Sequence, residues 1–504
     1  MFKTRRLIIN TFIMTCSAVL LRSAALSFQV YLSKHMGAEG LGLYQLVVSV
    51  HMLAVTVAAS GIRFACARLV SECEAKGQSG VNAVMHCALY SLSLSAAALV
   101  LLLLLSRVIA VRFIGDIRAL PALRLLALTL PPIAVSSALA GGFVALGRGA
   151  LTSFSQCIEQ LVRIGVTVFI FSRARSSGLS FACAAVSAGA VAGELASLLA
   201  ELPFFLIYKR REKQPFRRSR ELFKQLLSII LPLSAAAWVR SALSTVRQLL
   251  IPRGLKRSGS SPEKALADYG LITGIVFPLI TFPQAFFIVL GELIGPELTR
   301  AQVLGNSRTV TSLLSRTLRL CFVFSVGAAG ILFAFADGWG KAVYSSAEAG
   351  RYIRLLSPLM VAMYMDSITD GMLRGLGEHV ASMRLNIADS ALSLVLIILL
   401  LPRFAAAGYV AVLYFSECFN LAFSLRRLLK VSGLRLRAAF LPLPPLCMAG
   451  AVSTAALLLR NARFSFFSPG FSLALGTGLT ALIYAALMLA ALQPSTKRKK
   501  RRVV

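Results

Sequence analysis

Arg22, Arg63, Arg240 and Arg247 lie inside long apolar runs, and so do the acids Glu159, Glu194, Asp366, Asp370, Asp389 and Glu417. Charge at the centre of a bilayer costs at least ~2.5–3.5 kcal/mol by insertion scales, so such side chains usually face a bundle interior or a watery cavity. Arg22 stands between "SAVLL" and "SAALS", and Arg63 lies in "SGIRFACAR". Neither has an acid three or four residues away, so an intrahelical pair is closed to both. They either pair across helices or meet an anionic ligand. Phosphate suits the second role, because the planar guanidinium grips its oxygens through two parallel bonds. Arg240 and Arg247 stand seven apart and share a helical face.

The acids read differently. "SQCIEQLVRIG" (155–165) holds Gln156, Glu159, Gln160 and Arg163 within about two helical turns. Glu159 and Arg163 stand at i, i+4 with the acid first, the favourable order for an intrahelical pair. Such a pair either braces helix packing or belongs to a site. Asp366 and Asp370 share a face at the same spacing. The four histidines (His35, His51, His86, His379) form no cluster, and no sizeable outer loop carries carboxylates, so a membrane-embedded glycosyltransferase is not indicated. No enzyme activity and no cofactor are expected; a coupling Na+ or H+ is left open.

These residues need helices to position them. The chain has 504 residues, 57% hydrophobic and 14% charged, against roughly 25% charged in ordinary globular proteins. The apolar residues gather in long runs, the pattern of an all-α multi-spanning membrane protein. A window of roughly 20 residues gives about 14 spans, near 7–33, 42–68, 83–111, 122–146, 152–172, 179–207, 226–251, 268–294, 311–335, 354–373, 384–402, 406–425, 439–459 and 471–492. The first run is too long for a secretory signal and lacks an A-x-A-like site after it. Eight of the nine cysteines fall in such runs, with Cys73 expected in a loop, so no disulfide framework is indicated. Arg68 reads as an end-of-helix snorkel.

With both termini in the cytoplasm, the basic loops 208–224 and 426–437 and the "KRKKRR" tail (497–502) lie inside, as the positive-inside rule expects. The formal net charge of +33 is then explained by anionic membrane lipids, and no nucleic acid is called for. The chain also repeats itself at an offset of roughly 230 residues, "SSALAGGFVALGRGALTSFSQCIEQ" (136–160) matching "DSITDGMLRGLGEHVASMRLNIADS" (366–390). Gly141 meets Gly371, Gly147 meets Gly377, Gln156 meets Asn386 and Glu159 meets Asp389. Parallel repeats of this kind mark transporters, with the substrate between the halves.

"GAEGLGLYQLV" (37–47), "LRLLALTLPPIAVSSALAGGFVALG" (123–147), "SQCIEQLVRIG", "LIPRGL" (250–255), "YGLITGIVFPLITFP" (269–283) and "ITDGMLRGLGEHVASMRLNIADS" (368–390) resemble the polysaccharide transporter family. The likeness is greatest to its stage V sporulation protein B group, in the superfamily that also holds multidrug exporters and lipid II flippases. It runs over essentially the whole chain. The resemblance implies two pseudo-symmetric six-helix lobes around a central cavity (1–208 and 209–430), an extra helix pair (431–495) and a basic tail (496–504). It implies a monomer that turns an undecaprenyl-pyrophosphate-linked saccharide from the inner to the outer leaflet by alternating access, in spore-cortex or cell-wall synthesis. Arg22 and Arg63 occupy helices whose arginines meet the pyrophosphate in related flippases, and Arg240 and Arg247 extend that set. Asn386 and Asp389 resemble a polar pair of a sodium site in the superfamily, with altered spacing. The sporulation group often carries Pro near position 63 and an acid near position 247; Arg at both makes this chain more basic there. A cation-coupled multidrug exporter of the same fold and a non-transporting scaffold for cell-wall enzymes are the alternatives.

Overall fold

A computed structural model describes residues 2–76, 79–173, 178–212, 219–434, 473 and 476–485. Among these the regular structure is entirely helical. Inside hydrocarbon no water can satisfy backbone N–H and C=O groups, so an apolar run must close its hydrogen bonds within itself. Helices α1 (Phe2–Ala59), α2 (Ile62–Ala75), α3 (Gly80–Val108), α4 (Leu120–Ala127), α5 (Leu130–Ala145), α6 (Gly149–Arg173) and α7 (Leu179–Glu212) are followed by α8 (Arg220–Arg257) and α9 (Pro262–Gly270). Then come α10 (Phe277–Thr281), α11 (Ala285–Val303), α12 (Ser307–Gly338), α13 (Ala347–Leu356), α14 (Leu359–Gly375) and α15 (His379–Ser432).

Among the described residues nine stretches are long and apolar enough to cross a membrane. Two of them each hold two predicted spans. Leu20–Ala75 takes in the first span from Leu20 onward and the whole of the second, divided where Gly37 leaves helical geometry, and His379–Ser432 covers the eleventh and twelfth, divided at Ala405. The predicted span 354–373 is divided between α13 and α14. Span 439–459 and the basic tail lie outside the described residues, and the last span is described only at Leu473 and over Gly476–Ala485.

Two sequence expectations are corrected by the length of α2. Because it runs on to Ala75, Cys73 is buried in a helix rather than placed in a loop. Arg68 is likewise mid-helix, and its Nε bonds Glu72 at 2.8 Å instead of snorkelling from an end.

The chain forms two compact units, one of Met1–Gly274 with Ser390–Tyr409 and the other of Ile275–Asp389 with Val410–Val504. Helices α8 and α9 therefore belong by contact to the unit that holds α1–α7. Lipid tails are as apolar as leucine, so the helices associate through close packing and interhelical hydrogen bonds rather than a hydrophobic drive. Small residues carry that packing. A Cβ built on Gly141 of α5 would lie 2.5 Å from the Arg63 carbonyl oxygen of α2. In the second unit a Cβ on Gly371 of α14 would lie 3.1 Å from the Gly291 Cα of α11.

The repeat extends to backbone detail. After α5, Leu146, Gly147 and Arg148 donate to the carbonyls of Gly142, Val144 and Phe143; after α14, Leu376, Gly377 and Glu378 donate to those of Met372, Arg374 and Leu373. Each residue is displaced by 230 positions (148 to 378, 143 to 373). Gly147 and Gly377 both adopt the left-handed conformation at φ 68° and 80°, which closes the helix end cheaply only without a Cβ. Similarly, a π-turn over Ile109–Ile114 leads to Gly115 at positive φ and an extended Asp116, and one over Trp339–Val343 leads to Ser345 at positive φ and an extended Ser346.

Candidate functional site

In the first unit, α8 runs antiparallel along the second segment of α1 in a fixed register. Ser234 Oγ donates to the Ser60 carbonyl at 2.9 Å, Trp238 Nε1 to Thr56 at 3.2 Å, and Thr245 Oγ1 to Ser49 at 3.0 Å. Helical side chains of Ser and Thr reach carbonyls of a neighbouring helix only when the backbones approach closely, so this seam fixes the heights of Arg240 and Arg247. Arg22, Arg63 and Arg240 are exposed, and Arg247 is half-buried. Among the described residues none of the four takes part in an ion pair, within 4.0 Å, with any acid.

The acids of the same unit are committed. Glu159 Oε1 lies 3.7 Å from Arg163 Nη2 along α6, and Glu194 of α7 is held close to both. Gly193 makes that approach feasible, since a Cβ there would lie 2.7 Å from the Glu159 carbonyl oxygen. Two turns further along α7, Glu201 is buried at 3% exposure and accepts from Ser155 Oγ at 2.7 Å.

In the second unit the acids join neighbouring helices through hydroxyls. The two arms of α15 fold back on one another about Ala405. Asp389 of one arm accepts from Ser416 Oγ of the other at 2.6 Å, and Glu378 takes three bonds from Arg427. Asp366 and Asp370 share a face of α14 but serve different arms: Asp366 accepts from Ser424 at 2.8 Å, whereas Asp370 accepts from Ser382 and pairs with Arg374 at 2.6 Å. Asn386 Nδ2 bonds the Ser382 carbonyl of its own helix at 3.0 Å. Among the described residues no group of three His, Cys, Asp or Glu could hold a metal ion.

A family profile described as polysaccharide biosynthesis protein matches residues 7–276, more than half of the chain. The chain belongs to the polysaccharide biosynthesis protein family. It is 27% identical over 402 residues to stage V sporulation protein B of Bacillus subtilis, covering 78% of this chain and 77% of that one. Its fold is that of two solved membrane transporters. The lipid II flippase MurJ in an inward closed conformation matches at a TM-score of 0.68 and 13% identity, over 96% of this chain and all of that one. An inward-facing multidrug resistance MATE transporter of the MOP superfamily matches at 0.66 and 15% identity, over 84% and 99%.

Within this family member the sequence reading overlooked one buried acid. Glu201 lies seven residues after Glu194, hence on the same face of α7, and that spacing was the available signal. It also supplies an acid to Arg63 from another helix, within electrostatic reach though not in an ion pair. Arg118 was overlooked as well. It binds Asp116 at 2.7 Å and Glu39 at 2.7 Å, clamping the connection after α3 to the kink of α1.

Proposed function

We propose that this polysaccharide biosynthesis protein is a flippase that carries a polyprenyl-pyrophosphate-linked saccharide from the inner to the outer leaflet. The observation that carries the reading is an imbalance of partners. Glu159 and Asp370 pair with Arg163 and Arg374, and Glu201, Asp366 and Asp389 accept from hydroxyls, whereas Arg22, Arg63, Arg240 and Arg247 stand without ion pairs on three apolar helices. Cations in apolar helices that make no ion pair call for an anion, and a pyrophosphate offers the oxygens that a guanidinium binds bidentately. In this reading the four arginines receive the head group, while the polyprenyl tail stays in lipid. Glu159, Arg163, Glu194, Asp366, Asp370, Asn386 and Asp389 brace the two repeats.

In this reading both termini are cytoplasmic, and the repeats 1–208 and 209–430 act as the moving lobes. The extracytoplasmic gate is then the contact between the Gly37–Gly42 segment of α1 and α9. A Cβ on Gly270 would lie 2.0 Å from the Ala38 carbonyl oxygen, and one on Gly42 would lie 2.1 Å from that of Leu266. Gln29 Nε2 donates to the Gly274 carbonyl at 2.6 Å, and the fully buried Tyr269 donates to Gln248 at 3.2 Å. Backbones this close exclude a lipid head group, so the gate is shut and must part for release. Pro131, Pro132 and Pro232 are the hinges, since a proline removes a backbone bond where bending is needed. The saccharide belongs to spore-cortex or other cell-wall synthesis.

The MATE likeness favours one competitor, a cation-coupled drug exporter. Thermal unfolding of the purified protein separates the two. Undecaprenyl pyrophosphate should raise the midpoint, and Arg22→Ala with Arg63→Ala should remove that rise. Stabilisation by cationic dyes alone would discard the flippase reading.

A further inference from the structure

The second unit holds a basic site that includes none of the four arginines. Where the arms of α15 meet near Glu378 and Gly433, a cavity of about 700 Å³ is lined by Arg384, Arg426, Arg427 and Lys430, with Val380, Leu385 and Phe423 forming apolar wall. Four cations face one carboxylate, Glu378, and that acid is occupied by Arg427 at 2.8 Å. Arg384, Arg426 and Lys430 are exposed and form no ion pair among the described residues. The cavity also takes in the first turn of α15 at Val380 and Ala381, whose capping residue Glu378 makes no side-chain cap bond. Amides of a first turn lack intrahelical acceptors and add to the pull on an anion.

The second observation concerns what lies beneath. Phe423, Phe419 and Phe415 descend the same helix face from the cavity toward the turn at Ala405. Their ring centroids are 4.5 and 6.1 Å apart in sequence, and the two end residues are exposed. Eight residues of helix span about 12 Å, so this aromatic stripe follows an acyl chain well into hydrocarbon. A phosphate pocket at a helix-hairpin end, continuous with an apolar track along the span, fits a lipid and not a soluble anion.

We infer that the hairpin of α15 binds an anionic phospholipid, its phosphate held by Arg384, Arg426 and Lys430 and one acyl chain laid along Phe423, Phe419 and Phe415. The site needs only that this hairpin end lie at a membrane surface, so it stands or falls separately from the transported substrate.

Native mass spectrometry of the full-length protein titrated with phosphatidylglycerol or phosphatidylcholine tests it. Phosphatidylglycerol should be retained preferentially. The variant Arg384→Gln/Arg426→Gln/Lys430→Gln should lose that retention on the order of a hundredfold, at about one kilocalorie per basic residue. Arg300→Gln/Arg308→Gln/Arg316→Gln, which removes the same number of exposed cations from outside the cavity, should keep it. Phe419→Ala/Phe423→Ala should weaken it severalfold. Unchanged retention in the triple variant, displacement by inorganic phosphate alone, or a preference for undecaprenyl pyrophosphate at this site would each overturn the inference. Should the triple variant misfold, a photoreactive phosphatidylglycerol on the unmodified protein decides: cross-links within 380–388 or 415–430 support the site, and cross-links elsewhere refute it.

Discussion

Replacing Gly270 by alanine tests the proposed gate at its tightest point. The added Cβ would lie 2.0 Å from the Ala38 carbonyl oxygen and 2.4 Å from the Gly42 nitrogen. A carbon and a carbonyl oxygen approach to about 3.3 Å at closest, so the backbones must part by about 1.3 Å. Neither neighbour is a side chain that can rotate away. Overpacking of this kind costs about 1–3 kcal/mol, and the substitution charges that cost only to the closed gate. The ratio of open to closed molecules should therefore rise about 5- to 150-fold. Leu41 is fully buried, and its Cβ would meet a Cβ on Gly274 at 3.1 Å, so a cysteine at position 41 reports the gate. In intact cells, Leu41→Cys should react with an impermeant maleimide at least fivefold faster when Gly270→Ala is present. Gly178→Ala, with no atom within 4 Å of the new Cβ, should leave the rate unchanged. Equal rates for Gly270→Ala and the parent, in protein that remains folded and monodisperse, would show that this contact does not gate access.

Three further outcomes follow from the same geometry. Arg22→Ala and Arg63→Ala should each lower flipping about 10- to 100-fold, since a hydrogen bond to a charged group contributes about 1.5–3 kcal/mol; flipping assays on protein with unaltered thermal unfolding check this. Ser155→Ala removes a donor from the buried Glu201 carboxylate and should cost about 1–3 kcal/mol in stability, read as a lower unfolding midpoint. Gly141→Ala should destabilise more than Gly371→Ala. The first drives a Cβ to 2.5 Å from a backbone oxygen, whereas the second needs a shift of only a few tenths of an ångström; reversal of that order in matched unfolding curves would contradict the packing described for α2 and α5.

The helical membrane fold was legible because hydrocarbon demands it: an apolar run of span length has no other way to satisfy its backbone. The repeat was legible for a local reason, as Gly147 and Gly377 each end a helix in a conformation that disfavours a Cβ. What escaped the sequence was set by contacts distant along the chain. Nothing local says that α8 and α9 pack with α1–α7, because that depends on Gly42 meeting Gly270 across more than two hundred residues. Cys73 and Arg68 were misplaced since the end of α2 lies beyond the apolar run, carried on by polar helix formers such as Glu72 and Glu74. The acids of the site were legible as types, yet their partners were not. Ser155, Ser416 and Ser424 carry no periodic signal that marks them as donors to Glu201, Asp389 and Asp366.

The central claim is transport of a polyprenyl-pyrophosphate saccharide, and leaflet access in proteoliposomes measures it most directly. Protein reconstituted with a labelled undecaprenyl-pyrophosphate sugar should expose lipid from the inner leaflet to an impermeant reagent faster than protein-free vesicles do. The Arg22→Ala/Arg63→Ala variant should fall back toward the protein-free rate. Exposure no faster than in empty vesicles, with and without sodium or proton gradients and for each such lipid tried, would contradict the account.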